Sequence, residues 1–194
     1  MKKHEHTSVS DRNLFGFWVY LMSDCVIFAG LFATYAVLGH ATFGGPGSYE
    51  LANLPFVFVE TMLLLTSSFT AGLALLSAKQ GNKKTVVAAL LATLLLGAAF
   101  LSMEISEFIG LAAEGSGPGR SAFLSAFFTL LGTHGLHVFL GLVWLIALII
   151  SVVRRGLTDG NSRKLMMFSL FWHFLDIIWI FIFTFVYLFG TLAL

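Results

Sequence analysis

The stretch SLFWHFLDIIWIF, from Ser169 to Phe181, decides the fold class. It is a continuous apolar run that contains two polar groups, His173 and Asp176. It lacks the alternation at every second residue that is typical of a membrane β-barrel strand. The run belongs to a longer apolar segment, and roughly 20 such residues cross a bilayer as a helix. The sequence therefore predicts a membrane-spanning helix that carries an imidazole and a carboxyl group.

The composition extends this interpretation to the whole chain. Of its 194 residues, 58% are hydrophobic and only 11% are charged, whereas soluble domains carry about 25% charged residues. The single cysteine, Cys25, excludes an internal disulfide framework and a metal site built from cysteines alone. The chain is therefore predicted to be an integral membrane protein, and nothing in it suggests a nucleic-acid partner.

Five apolar segments are long enough to cross a bilayer. Between them lie connections rich in Gly, Pro, Asn and charged residues, which are typical of loops. We predict an all-α integral membrane bundle of five transmembrane helices that form one domain over residues 14–194, after a polar tail at 1–13. The predicted spans are at about 14–39, 54–78, 85–111, 122–153 and 165–194. No internal repeat is evident, so an inverted-repeat transporter is unsupported.

The basic residues orient these spans. Ten of the 11 Lys and Arg side chains lie in the N-terminal tail, the second loop and the fourth loop. On the other side of the membrane the sequence places only Arg120. Because cytoplasmic loops carry the excess of Lys and Arg, the N-terminus is predicted to be cytoplasmic and the C-terminus periplasmic.

Eight acids and histidines fall inside the predicted spans. A charged group at mid-bilayer costs about 2.5–3.5 kcal/mol even on lenient scales, so such groups normally face the interior of a bundle. Three pairs are spaced by three residues and so share a helix face. We predict a buried polar network at the helix contacts, made by Asp24, Glu60, Glu104, Glu107, His134, His137, His173 and Asp176.

Three interpretations of this network stay open at the level of the residues. Haem ligation needs two imidazoles on opposite sides of one ring; His134 and His137 on one helix cannot provide that, but His173 with either of them could. A proton relay needs a continuous route across the membrane, as Asp, Glu and His form in pumps. A structural role needs only interhelical hydrogen bonds, lipid contacts and docking to a partner, and it is the interpretation we favour.

Four ordered motifs then resemble a known family. They are MSDCVIFAGLFATYA (22–36), MEISEF (103–108), GTHGLHVFLG (132–141) and FWHFLDIIWIFIFTFVYLFG (171–190). Together they resemble subunit III of the haem-copper oxidases. Within that family, LPFVFVETMLLLTSSFT (54–70) and GRSAFLSAFFTLLGTHGLHV (119–138) most resemble the bo-type (cytochrome o) ubiquinol oxidase branch. The resemblance covers Leu14–Gly190. The five spans fit that branch, because subunit III of cytochrome c oxidases has seven.

The resemblance implies a function for the complex and a supporting role for this chain. It implies a proton-pumping terminal ubiquinol oxidase of the bacterial inner membrane, which couples quinol oxidation to dioxygen reduction in aerobic respiration. It also implies haems and copper in subunit I, and no cofactor, metal or catalytic residue on this chain. Subunit I would be the direct partner, with subunits II and IV in the same complex.

The resemblance also suggests roles for particular residues. Asp24 occupies the position of a buried acid that is usually Glu in the cytochrome c branch. Most of the other predicted network residues match polar positions of the family. Arg120 and Trp172 fall on matching motifs, which implies that they contact phospholipid. Asp176 is expected to accept a hydrogen bond from His173 or from a facing helix, since an unpaired buried group costs about 1–3 kcal/mol.

Two rival functions are kept. One is an accessory subunit associated with nitric oxide reductase, which shares the five-span architecture. The other belongs to a different class, a haem-binding membrane anchor of the cytochrome b type. Neighbouring genes would separate the first rival from the oxidase, and an optical spectrum of the isolated chain would separate the second.

Overall fold

A computed structural model describes residues 2–39, 41–44, 47 and 53–192, and this part of the chain is all helix and loop. Parts of the predicted first loop, at residue 40 and within 45–52, and residues 193–194 of the predicted fifth span lie outside the described residues. The helices are α1 (Lys2–Leu38), α2 (Leu54–Lys79), α3 (Lys83–Ala113), α4 (Ala122–Arg155) and α5 (Asp159–Ile182), followed by a π-helical segment (Phe183–Leu188) and α6 (Phe189–Leu192).

The predicted five-helix membrane bundle is confirmed. Among the described residues, five helical stretches are long and apolar enough to cross a membrane. They run Leu14–Leu38, Leu54–Lys79, Lys83–Ala113, Ala122–Arg155 and Asp159–Leu188. Within the residues assigned to a polar tail, α1 begins at Lys2 and continues into the first span without a break. No Pro or Gly interrupts residues 2–13, so nothing in the sequence forces the helix to start later.

Polar N-caps begin α3 and α4, and a glycine lies in the turn that reverses the chain between α2 and α3. Asn82 Oδ1 accepts a hydrogen bond from Thr85 N at 3.3 Å, and Ser121 Oγ accepts one from Leu124 N at 3.1 Å. Gly81, with φ 74°, lies in the turn between α2 and α3, in a left-handed conformation that favours glycine. These tight connections make α2 and α3 antiparallel neighbours.

Asn161 joins the end of α4 to the start of α5. Its amide Nδ2 donates to Gly156 O at 2.8 Å and to Ser151 O at 3.3 Å. Its Oδ1 accepts from Ser151 Oγ at 2.8 Å. Since Asn161 is only 4% exposed, these bonds satisfy backbone groups that the turn would otherwise bury unpaired.

The four helices α2, α3, α4 and α5 pack as a square, and α1 packs against α4 and α5. At the centre of the square, the Trp172 indole lies between two glycines on neighbouring helices. A Cβ at Gly97 of α3 would come within 2.8 Å of the indole, and one at Gly141 of α4 within 2.9 Å. The two glycines therefore create the space that Trp172 of α5 fills.

Two indole hydrogen bonds then tie α5 to α2. Trp172 Nε1 donates to Ser67 Oγ at 2.9 Å, and Trp179 Nε1 donates to Thr61 Oγ1 at 3.0 Å. The tryptophans are seven residues apart and share one face of α5. Each hydroxyl also donates to its own helix backbone, to Leu64 O from Ser67 and to Val57 O from Thr61. Both indole N–H groups are thereby satisfied inside an apolar bundle.

The substitution Gly97→Ala is expected to destabilise the bundle. The new Cβ would overlap the Trp172 ring, so the helices or the indole must shift, at a cost of about 1–3 kcal/mol. Thermal unfolding of the detergent-solubilised protein, followed by circular dichroism, measures the effect. Gly110→Ala on the same helix is the control, because a Cβ there meets nothing within 4 Å. Equal midpoints for the two variants would contradict this packing.

Candidate functional site

The eight predicted polar residues lie in separate groups at different helix contacts. The largest is an acidic group of Glu60 on α2 and Glu104 and Glu107 on α3. Glu104 interacts electrostatically with both of the others. Because α2 starts and α3 ends at the same side of the bundle, the group lies near one membrane face. That face is opposite the short basic connections between α2 and α3 and between α4 and α5.

Glu60 and Glu104 are buried without partners. Glu60 is 0% exposed and Glu104 1% exposed, and none of their four carboxyl oxygens has a hydrogen-bond partner. Gly135 of α4 makes room for Glu104, since a Cβ there would lie 2.7 Å from Glu104 Oε2. These two carboxyl groups therefore do not hydrogen-bond each other. That the buried polar groups satisfy one another, a lipid or a neighbouring subunit stays a prediction.

Glu107 connects this group to the surface. It accepts a hydrogen bond from Tyr187 OH, at 3.2 Å from its Oε2. It also lines a cavity of about 350 Å³ at the end of the bundle, together with Asn53, Ser106 and Glu114. Buried acids are thus linked to an opening on one membrane face, on the side that the sequence assigned to the periplasm.

Sequence reasoning missed Tyr187. It lies in the π-helical segment, where Phe189 N donates to Thr184 O, five residues back. The wider turn sets which residues of the segment face α3, and π-helical turns are frequent at functional positions. The available signal was a single tyrosine in the otherwise mostly apolar run FTFVYLF (183–189).

Asp24 and His137 form a second group, between α1 and α4. His137 Nε2 lies 3.7 Å from Asp24 Oδ2, and this is the pair at salt-bridge distance within the described part of the chain. The other ring nitrogen, Nδ1, is 2.7 Å from Thr133 O. A carbonyl oxygen only accepts, so Nδ1 carries the hydrogen and Nε2 faces the carboxyl group.

His134 is enclosed by aromatic rings. Its centroid lies 5.2 Å from Trp179, 6.0 Å from Phe100 and 6.4 Å from Phe28. The side chain is 0% exposed, and neither ring nitrogen has a hydrogen-bond partner. A porphyrin could reach this imidazole only if those rings moved apart, so the residues around His134 do not fit a haem.

His173 and Asp176 form a third group, on the side of α5 next to α2. His173 is exposed, and its Nδ1 is 2.6 Å from Ser169 O. Asp176 is 8% exposed, and its Oδ1 has no hydrogen-bond partner. His173 thus bonds its own helix and does not supply the hydrogen bond predicted for Asp176. Ser68 of α2 faces the carboxyl group but lies outside hydrogen-bond geometry.

The two residues expected to contact lipid differ in exposure. Arg120 is exposed, just before α4 begins. Trp172 is 1% exposed, so a lipid could reach it only if the bundle opened. Within the described ranges, no cluster of three or more His, Cys, Asp or Glu residues could hold a metal ion.

These features define the chain as a multi-pass α-helical membrane protein with buried carboxyl and imidazole groups at its helix contacts. The sequence model of the family "Cytochrome c oxidase subunit III" matches residues 1–191. The chain belongs to this family.

Among its relatives, cytochrome bo(3) ubiquinol oxidase subunit 3 of Pseudomonas aeruginosa is 58% identical over 97% of this chain and 91% of its own length. Quinol oxidase subunit 3 of Bacillus subtilis is 48% identical over 96% and 92%. Cytochrome c oxidase subunit 3 of Bacillus sp. (strain PS3) is 47% identical over 97% and 91%.

The contact between Gly135 and Glu104 predicts a coupled pair of substitutions. Gly135→Ala should destabilise the chain by about 1–3 kcal/mol, because its Cβ would overlap the carboxyl group. Glu104→Ala should largely remove that penalty in the double variant, since it removes the overlapping atoms. Thermal unfolding in detergent of the wild type, the two single variants and the double variant gives the coupling free energy between positions 104 and 135.

Gly132→Ala is the control for this cycle. A Cβ at that position of α4 makes an ordinary contact of 3.8 Å with Phe108. The contact does not affect stability if Gly135→Ala destabilises no more than Gly132→Ala. The same conclusion holds if the effects of Gly135→Ala and Glu104→Ala on the free energy of unfolding are additive in the double variant.

Proposed function

We propose that this chain is the non-catalytic subunit III of a bacterial bo-type terminal ubiquinol oxidase. The observation that carries the proposal is the 58% identity to a bo(3) ubiquinol oxidase subunit 3, over 97% of this chain. A second relative of that name, from Pseudomonas putida, is 52% identical over 91%. The relative named for cytochrome c oxidase is less similar, at 47%. The complex would oxidise ubiquinol, reduce dioxygen to water and pump protons.

The chain's partners follow from this proposal. Subunit I would be the direct neighbour and would hold the haems and copper, and subunits II and IV would complete the assembly. The complex would lie in the bacterial inner membrane, with the N-terminus of this chain in the cytoplasm. The basic residues support that orientation, since Lys83 and Arg154 lie at the same end of the bundle, where Lys83 Nζ also donates to Val153 O at 2.8 Å.

The role of the chain would be to stabilise the assembly. Its polar groups support this, because most of them lie at helix contacts, while the exposed His173 lies on the outer surface, where a neighbouring subunit can reach it. Arg120 is exposed at the end of the bundle that carries the acidic group, where a guanidinium can pair with a phospholipid phosphate. The rival functions are less well supported: no relative given above is named for nitric oxide reductase, and His134 is closed off by aromatic rings.

Purification tests the assignment directly. A tagged copy of the chain, extracted in mild detergent from its native membranes, should bring haem and copper with it, and the preparation should oxidise ubiquinol. The chain expressed without its partners should show no haem bands in its optical spectrum. Recovery with a nitric oxide reductase, or haem bound tightly to the isolated chain, would refute the assignment.

Asp176→Leu distinguishes a structural role from a role in proton transfer. We expect it to lower the amount of assembled oxidase more than the turnover of each assembled complex, because it changes a buried polar group at the contact between α5 and α2. Haem content and ubiquinol oxidation rate in purified membranes measure the two quantities. Asp176→Asn is the control, since it keeps the size and an acceptor oxygen. Normal assembly with a collapsed proton-pumping ratio would favour a relay.

A further inference from the structure

A hydrogen-bonding group faces outward at the midpoint of a membrane span. His173 is the fifteenth of the 30 residues of the span Asp159–Leu188, so it lies near the middle of this span. It is exposed, whereas the two residues before it, Phe171 and Trp172, are 4% and 1% exposed. An exposed imidazole at this depth lacks the water that would solvate it at a surface.

The geometry defines what the ring offers. Nδ1 is 2.6 Å from Ser169 O; a carbonyl oxygen only accepts, so Nδ1 carries the hydrogen. In the neutral ring, Nε2 is then a hydrogen-bond acceptor. Gly72 of α2 stands beside it, where a Cβ would lie 3.9 Å from Nε2. The His173 side chain is exposed, and no described residue donates a hydrogen bond to Nε2.

Apolar side chains surround His173 on this face. Phe69 is 66% exposed, Leu76 54% and Ile177 53%. Asp176, one turn further along α5, is buried and does not belong to this surface. The face of α2 and α5 therefore combines an apolar surface with one accessible acceptor, Nε2 of His173, near the middle of the span.

The chemistry of this face selects its occupant. Acyl chains have no hydrogen-bond donor, and lipid headgroups lie about 15 Å away, at the edge of the hydrocarbon layer. A protein helix can present a hydroxyl, amide or basic side chain at any depth. We propose that the α2–α5 face docks a transmembrane helix of a neighbouring subunit, which donates a hydrogen bond from a mid-membrane side chain to His173 Nε2.

The proposal rests on the proposed function for its claim that this neighbour belongs to the same oxidase. The other polar groups differ from this one. Asp24 and His137 face each other, and Glu60 and Glu104 are enclosed within the bundle. His173 differs because it combines a position near the middle of its span with an exposed side chain and an accessible acceptor.

Site-specific photo-cross-linking in the intact complex tests the surface. A photoactivatable phenylalanine analogue at position 177, one turn from His173, should cross-link to a polypeptide of the complex. Mass spectrometry should place the adduct in a transmembrane segment that has a donor side chain at mid-depth. The same probe at position 95 of α3 is the matched control, because Leu95 is 71% exposed and also lies near the middle of its span. Lipid adducts alone at position 177 would overturn the proposal.

Variants of His173 test the hydrogen bond. His173→Leu should reduce the retention of the partner through detergent purification about tenfold, the scale of one lost interhelical hydrogen bond. His173→Gln keeps an acceptor oxygen and should retain most of the partner. Retention is normalised to the amount of chain in the membrane. Undiminished retention for His173→Leu would overturn the proposal, and if this variant does not accumulate, the cross-link in the wild-type chain decides.

The outcomes separate this inference from the assignment to an oxidase. A complex that contains haem and oxidises quinol, but gives no protein cross-link at position 177, keeps the assignment and refutes the docking face. A helix cross-linked at position 177 that belongs to a complex without haem keeps the docking face and refutes the assignment.

Discussion

The bundle depends on one constraint, the fit of the Trp172 indole between Gly97 of α3 and Gly141 of α4. In a bilayer, helices gain little from leaving the lipid, so close packing and interhelical hydrogen bonds must hold them together. The indole provides both, because its ring fills the space above two glycines while its Nε1 bonds Ser67 of α2. One side chain of α5 thus contacts the three other helices of the square.

The two tryptophans of α5 also fix the register of that helix against α2. Trp172 bonds Ser67 and Trp179 bonds Thr61, so an axial slip of α5 by one turn would leave both indole N–H groups unpaired in an apolar interior. Such groups are costly to bury. With this register set, His173, next to Trp172, turns away from the centre of the bundle and Asp176 faces α2.

The spans could be predicted from the sequence, because apolar length alone determines whether a helix can cross a bilayer. The contacts between spans could not. Gly97 lies in the run LLLGAAF (94–100) with nothing to mark it as the partner of a tryptophan 75 positions later. The sequence identified Glu104, His134 and His173 as unusual, but spacing along one helix does not tell which face meets a neighbour. In the sequence, the enclosed Glu104 and the outward-facing His173 therefore look alike, because each is a polar residue within an apolar span.

The π-helical segment Phe183–Leu188 has a consequence for how the chain tolerates changes in length. A wider turn accommodates one more residue than an α-helix over the same rise, and it lies beyond the tryptophans that fix α5. Removal of a single residue there could be absorbed by reversion to an ordinary α-helix, with the register of Trp172 and Trp179 untouched. The rotation that brings the Tyr187 hydroxyl to Glu107 would be lost. The π-helical segment thus sets the direction in which Tyr187 points, independently of the packing of Trp172 and Trp179 further back along α5.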